Sequence, residues 1–331
     1  MRVLVTGGAG YVGSHTAHEL ARRGHTVRIF DNLSTGRDFL ADGLELRIGD
    51  VGDRRAMRDA MEDVDAVMHF AAHSLAGESM QNPAKYFRNN VGAGLNLLDC
   101  VAAAGVSHFI FSSTCAVYGN PAEIPIREDA RREPVNPYGA SKLAFEQALL
   151  SYASAYGLRF LSLRYFNAAG ADESGEIGEC HDPETHLIPL ALRAASGEIS
   201  ELVIHGDDYA TPDGTCVRDY VHVSDIAEAH VLGLEYLAAG GASEFLNLGS
   251  GSGHSVREVV AAVEPLTGHR LTHRIGPRRA GDPPVLVADS TKAKQILGWQ
   301  PKRSLEQMVS SAWAWTRHWA RQSAKSSTPA R

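Results

Sequence analysis

The sequence lacks any apolar run approaching the roughly 18 residues that a membrane-crossing helix requires, so no membrane partner is expected. Its apolar start, Val3-Leu4-Val5, breaks at once into Thr6-Gly7-Gly8, too short for the core of a signal peptide. Cysteine is scarce: Cys100, Cys115, Cys180 and Cys216 lie far apart, with no pair at the spacing of a zinc finger or a disulfide framework. A reducing cytoplasm is the expected compartment, and no metal site is read from the sequence. Basic charge is short as well, 32 Lys plus Arg against 39 Asp plus Glu, a net charge of -7. That balance gives no electrostatic reason to expect nucleic acid or an anionic membrane as a partner. An anionic ligand has to be met by local arginines.

What the chain does have is an ordinary globular composition, 44% hydrophobic and 21% charged over 331 residues, which is enough for about two compact units. The first half alternates strands with helices. A buried strand over 2–6 runs into glycines, a helix spans 11–23, and a second strand over 26–30 ends in Asp31. Further strands are expected at 44–48, 66–70, 109–112 and 159–163. This repeated order implies an α/β fold, a doubly wound parallel sheet.

Beyond Asn167 the texture changes to Gly/Asp/Pro-rich stretches at 172–183, 207–214 and 274–284, expected as loops of a smaller α/β substrate-binding domain. Residues 1–166 are expected to form the first unit, with a return segment near 220–240, and 167–321 mainly the second. Leu305, Met308, Val309, Ala312 and Trp319 have the spacing of an amphipathic helix whose tryptophans are core. Residues 322–331 read as a flexible tail.

Gly8-Ala9-Gly10-Tyr11-Val12-Gly13 is a G-x-G-x-x-G placed between a strand and a helix, the Rossmann-type context in which it binds a dinucleotide. Glycines let the backbone turn and approach a pyrophosphate, whose charge sits on free N–H groups of the helix N-terminus. Asp31 stands where a carboxylate accepts hydrogen bonds from the adenosine ribose and repels a 2'-phosphate, which favours NAD over NADP.

Tyr138 and Lys142, in Asn-Pro-Tyr-Gly-Ala-Ser-Lys, are four residues apart and so share one helical face. A tyrosine is a weak base at neutral pH unless an ammonium and the positive nicotinamide favour its phenolate, and that is the expectation here. Thr114, in Ser112-Ser113-Thr114 at the end of a strand, can share the substrate proton with Tyr138.

With the glycine loop, Ser-Ser-Thr and Tyr-x-x-x-Lys in this order, the chain resembles the extended short-chain dehydrogenases/reductases, and among them the UDP-glucose 4-epimerases. The likeness runs over nearly the whole chain, through His69-Phe70-Ala71-Ala72, Leu163-Arg164-Tyr165-Phe166-Asn167 and, most specifically, 207–222. The resemblance implies tightly bound NAD held by Gly7, Gly10, Tyr11, Val12, Gly13, Asp31, Asn32, Asp50, Val51, Phe70, Ala71, Ala72, Asn89, Thr114, Tyr138, Lys142 and Tyr165. It implies a UDP-sugar site made by Thr114, Tyr138, Phe166, Asn167, His186, Leu187, Val203, Ile204, His205, Arg218, Tyr220, Arg279, Asp282 and Leu286. Ser74 stands where some members carry a lysine near the cofactor phosphates, and His205 replaces an aromatic beside the uracil.

The implied reaction is C4 epimerisation of UDP-glucose and UDP-galactose, with UDP-N-acetylhexosamines or a UDP-pentose as alternative substrates. A sugar-nucleotide dehydratase needs an acid and a base after the Thr, and here Cys115 and Ala116 follow it. A non-catalytic NAD-binding regulator is the other alternative, and such proteins often lose the Tyr-Lys pair retained here. The resemblance also implies a homodimer, for which Val91, Leu95, Leu98 and Val101 are the expected contact face, with the Tyr138 helix beside them.

Overall fold

The structure, a computed structural model, describes residues 1–279 and 282–326, with side chains through residue 319 at the C-terminal end. The strands are β1 (Arg2–Thr6), β2 (Thr26–Asp31), β3 (Glu45–Ile48), β4 (Ala66–His69), β5 (His108–Thr114), β6 (Arg159–Tyr165), β7 (Asn167–Ala169), β8 (Leu202–His205), β9 (Val217–His222), β10 (Glu244–Leu248), β11 (Gly253–Ser255), β12 (His273–Gly276) and β13 (Val285–Leu286). Between and after them run helices α1 (Tyr11–Arg22), α2 (Arg54–Ala60), α3 (Ala76–Gln81), α4 (Pro83–Tyr86), α5 (Gly94–Ala103), α6 (Pro137–Tyr156), α7 (Leu187–Ala195), α8 (Val223–Ala238), α9 (Val256–Thr267), α10 (Thr291–Leu297) and α11 (Leu305–Ser326). Among the described residues no helix is long and apolar enough to cross a membrane.

Seven strands form one parallel sheet in the order β10-β6-β5-β4-β1-β2-β3. Strand alternation explains its two cores. Val3 and Val5 point to one face, where they pack with Leu20 of α1 and Ile226 and Leu234 of α8. Leu4 points to the other, where Met57 of α2, Leu97 of α5 and Phe145 and Leu149 of α6 meet Phe109 and Phe111 of β5. A strand buried on both faces has no polar side to show, which is why β1 reads as an unbroken apolar run.

After β9 the chain returns to this sheet, where α8 packs on its face and β10 becomes its edge strand beside β6. The remaining strands form a four-stranded sheet of β7, β9, β11 and β13 and a parallel pair of β8 with β12, so the stretch expected as a loop at 274–284 starts inside a strand. Helices α7, α9 and α11 cover this region through Ile188, Leu192, Val259, Val263, Met308 and Val309. Residues 322–326 of the expected tail continue α11, and 327–331 lie outside the described residues.

Candidate active site

Along the C-terminal ends of β1, β2, β4 and β5 opens a cavity of about 830 Å³ that continues to β9 and β13. One end is built by the glycine turn. Gly7, with φ of +73°, is the residue that turns the chain; a Cβ on it would lie 2.4 Å from the Ala71 backbone nitrogen, and one on Gly13 would lie 2.2 Å from the Gly7 oxygen. The working pattern is therefore Gly7-x-x-Gly10-x-x-Gly13, and Gly8 instead packs against Ile29. Gly10, the N-cap of α1, has no side chain to close the helix, so its first-turn N–H groups, from Tyr11 to Gly13, border the cavity. Asp31 accepts hydrogen bonds from the Ala9 N–H (3.0 Å) and the Leu33 N–H (2.8 Å), which fixes its carboxylate at the cavity edge. An anion cradle followed by a buried ribose-level carboxylate fits a dinucleotide.

The middle of the cavity belongs to α6. Asn136 caps it by accepting from the Gly139 N–H at 2.8 Å, Pro137 starts it, and the four-residue step then places Tyr138, Lys142 and Glu146 on the face toward the sheet. Glu146 is fully buried and accepts two bonds from the Arg164 guanidinium (2.9 and 2.7 Å), with Ser113 and Ser162 also donating to it at 2.8 Å. Arg164 reaches on to Tyr118 (2.9 Å), which donates to Asn247 (2.7 Å). This network locks α6 onto β5, β6 and β10. Behind it, Asn90, in a π-helical stretch at Phe87–Ala93, donates to the His73 carbonyl oxygen and to the Ser141 hydroxyl, both at 3.0 Å. That ties the loop after β4 to the start of α6.

Lys142 Nζ donates to the Ser112 carbonyl oxygen at 2.7 Å, and burial lowers its pKa to about 7. Burial, with Tyr165 adding to it, pushes the Tyr138 phenol well above the usual tyrosine range, while the Thr114 hydroxyl pulls it down. The expected lowering of Tyr138 by Lys142 is thus not present in the protein alone, because the ammonium is directed at Ser112 and desolvation dominates. Tyr165 and Ser112 share a hydrogen bond of 2.5 Å beside them.

The far end carries Arg218, which is paired with Asp282, and Arg279; both arginines line the cavity. All the residues expected at the cofactor border this cavity, as do Phe166, Asn167, His186, Leu187, Arg218, Tyr220, Arg279, Asp282 and Leu286. Val203, Ile204 and His205 do not: Ile204 is buried under α7 and α9, and His205 Nδ1 lies 3.2 Å from the Pro277 carbonyl oxygen. Leu286 both lines the cavity and packs with Cys115, Val117 and Phe166. Sequence reasoning missed the Glu146–Arg164 network, although Glu146 continues the four-residue step from Tyr138 and Lys142.

A glycine-turn nucleotide cradle joined to a Tyr-Lys pair on a doubly wound sheet defines a dinucleotide-dependent α/β enzyme. The chain belongs to the NAD dependent epimerase/dehydratase family, whose model matches residues 3–249. It is 50% identical over 320 residues to the UDP-glucose 4-epimerase of Corynebacterium glutamicum, covering 96% of each chain. The crystal structure of UDP-glucose 4-epimerase from Brucella ovis in complex with NAD matches with a TM-score of 0.92 at 48% identity, over 94% of this chain and 97% of that one. That of UDP-glucose-4-epimerase from Stenotrophomonas maltophila, with bound NAD and formylated UDP-arabinopyranose, matches with a TM-score of 0.94 at 42% identity, over 97% and 99%.

Proposed function

We propose that this chain interconverts UDP-glucose and UDP-galactose by transient oxidation at C4, with NAD as a resident cofactor. The observation that carries this is one continuous cavity bordered by the glycine cradle, by Thr114, Tyr138 and Lys142, and by Arg218 and Arg279. Bound NAD would supply the hydride acceptor for C4 and the donor for its return. Gly7 to Gly13 and Asp31 would hold its pyrophosphate and ribose, with Lys142, fixed by Ser112, in the middle of the cavity. Tyr138, as the phenolate that the positive charge of bound NAD would favour, would accept the C4 hydroxyl proton and return it, with Thr114 beside it. Arg218 and Arg279 hold the diphosphate, each charge-assisted bond worth about 1.5–3 kcal/mol. Cys115 and Ala116 supply neither acid nor base for elimination of water, so the 4-keto sugar is re-reduced, on the same face to regenerate the substrate or, after turning about its diphosphate link, on the other face to give the C4 epimer.

The test is to incubate the pure protein with UDP-galactose and no added NAD. UDP-glucose should form without accumulation of NADH; a 4-keto-6-deoxy product would overturn the reading.

Leu286 sets the breadth of the sugar pocket. It is smaller than tyrosine, so partial activity on UDP-N-acetylglucosamine is expected. Leu286→Tyr should depress that activity by about 10-fold or more while sparing UDP-galactose. Equal loss of both would return Leu286 to a packing role alone.

The proposed assembly is a homodimer through the expected α5 and α6 region, with Leu95 kept in the contact face and Leu98 and Val101 removed from it. Leu98 and Val101 are buried beneath the sheet because α5 is apolar on more than one side, so they cannot form a contact face. Leu95 of α5 and Leu150 and Tyr156 of α6 are the exposed apolar side chains there, 36%, 43% and 66% accessible. A monomeric mass by light scattering at micromolar concentration contradicts the dimer. The cytoplasm is the proposed compartment, in keeping with four cysteines that are all free thiols.

A further inference from the structure

Between β7 and α7 the chain reads Glu179-Cys180-His181-Asp182-Pro183-Glu184-Thr185-His186, which on the page of a sequence is a charged loop. In the fold it closes on itself, so that a ligand atom of each of Glu179, His181, Glu184 and His186 lies within 4.8 Å of the others. We propose that these four side chains bind a divalent transition-metal ion, zinc by their donor set, as a structural site at the wall of the UDP-sugar cavity.

Three features carry the assignment. First, the donors converge on a point rather than pairing off. His181 and His186 both bring Nδ1 to the same oxygen of Glu179, the former at 2.9 Å, and His181 Nδ1 and His186 Nδ1 lie 3.9 and 4.0 Å from the carboxylate oxygens of Glu184. Two independent ion pairs would place each imidazole on its own carboxylate. A tetrahedral zinc with bonds near 2.1 Å holds its ligand atoms roughly 3.4 Å apart, which small side-chain adjustments reach from here.

Second, the two carboxylates are poorly solvated, with side chains 6% and 5% accessible. One divalent cation neutralises both, and two imidazoles with two carboxylates suit zinc better than magnesium or calcium, which prefer oxygen alone.

Third, the ligands are held by the loop backbone and by neighbouring helices. The Thr185 and His186 backbone N–H groups donate to Glu184 at 2.7 and 2.8 Å, the indole N–H of Trp315 donates to the Glu179 carbonyl oxygen at 2.7 Å, and the Tyr11 ring meets His181 edge-on. Supporting contacts of this kind orient metal ligands. An ion here would close the loop on itself and fix His186, the N-cap of α7, which also borders the cavity.

The test needs no turnover, so it stands or falls separately from the proposed reaction. Full-length protein, purified without an affinity histidine tag or chelator, is analysed for metals by mass spectrometry, then stripped with EDTA and titrated with Zn2+ and Co2+. Expected are one zinc per chain, a rise in Tm when Zn2+ is restored, and the visible absorption of tetrahedral cobalt on Co2+ addition. Glu179→Gln and His181→Asn should each abolish the cobalt spectrum and the Zn2+-dependent rise in Tm. A stripped wild type that gives neither a Tm shift nor a cobalt spectrum overturns the proposal. So do variants that bind the ions as wild type does.

Discussion

The two long walls of the cavity are built on opposite principles. The α6 wall sets Tyr138 and Lys142 over a buried Glu146–Arg164 pair, and its polar atoms are committed to partners on β5, β6 and β10. Across from it, the wall from β9 to β13 holds Arg218, buried on β9 and paired with Asp282, and offers an exposed Arg279 from a loop. The contrast fits the proposed chemistry. Proton transfer and hydride return need atoms fixed within a fraction of an ångström, whereas a hexose that must turn over cannot be gripped, so binding energy goes to the diphosphate at a distance.

Breaking the fixed wall should cost most. Tyr138→Phe removes only the phenol oxygen and is expected to lower turnover by about 10²- to 10⁴-fold while NAD and UDP still bind. Near-normal turnover in a stopped assay would show that another group is the base.

Glu146→Ala leaves Arg164 charged and unpaired in the interior and should destabilise the fold by about 3–5 kcal/mol, seen as a lower midpoint in urea. Replacing both residues with apolar ones of similar volume should recover much of that loss. If the single change is silent, the network does not anchor α6.

On the other wall the effects are smaller and should leave stability alone. Arg279→Ala is expected to weaken UDP by about 10- to 100-fold, the loss of one charge-assisted contact, with NAD affinity unchanged by calorimetry. A parallel loss of NAD would mean that the two ends of the cavity are not separate sites.

How much of this could be read in advance follows the range of the interactions. The glycine turn and the Tyr-Lys step are local, four to six residues in extent, and survive in a bare sequence. Even there, positive φ at Gly7 and the packing of Gly8 on Ile29 could not be separated in Gly7-Gly8, because the distinction depends on β2 and on Ala71. Arg164 lies on a strand and Glu146 on a helix, so half of the network was visible as helical spacing and its partner was not. Leu98, Val101 and Ile204 were misplaced because an apolar residue looks the same whether it faces a partner, a ligand or the core.

A further predicted effect is spread over the fold. Burial lowers the pKa of His15 and His230 to about 4 and of His69 and His222 to about 3. Below about pH 6.5 the unfolded chain gains protons that the folded chain refuses, so stability falls as pH drops toward 4 and is unaffected by these groups above 7. Each contributes up to about 1.4 kcal/mol per pH unit in that window, and Tm measured from pH 7 to 5 should fall accordingly. A flat profile would mean that these imidazoles are solvated.

The central claim, that one cavity oxidises and re-reduces the same carbon without releasing anything, is tested most directly with UDP-galactose deuterated at C4. The account predicts UDP-glucose that keeps the deuterium at C4 in ordinary water. Loss of the label to solvent would contradict it, because exchange there requires a proton abstracted from carbon instead of a hydride held and returned.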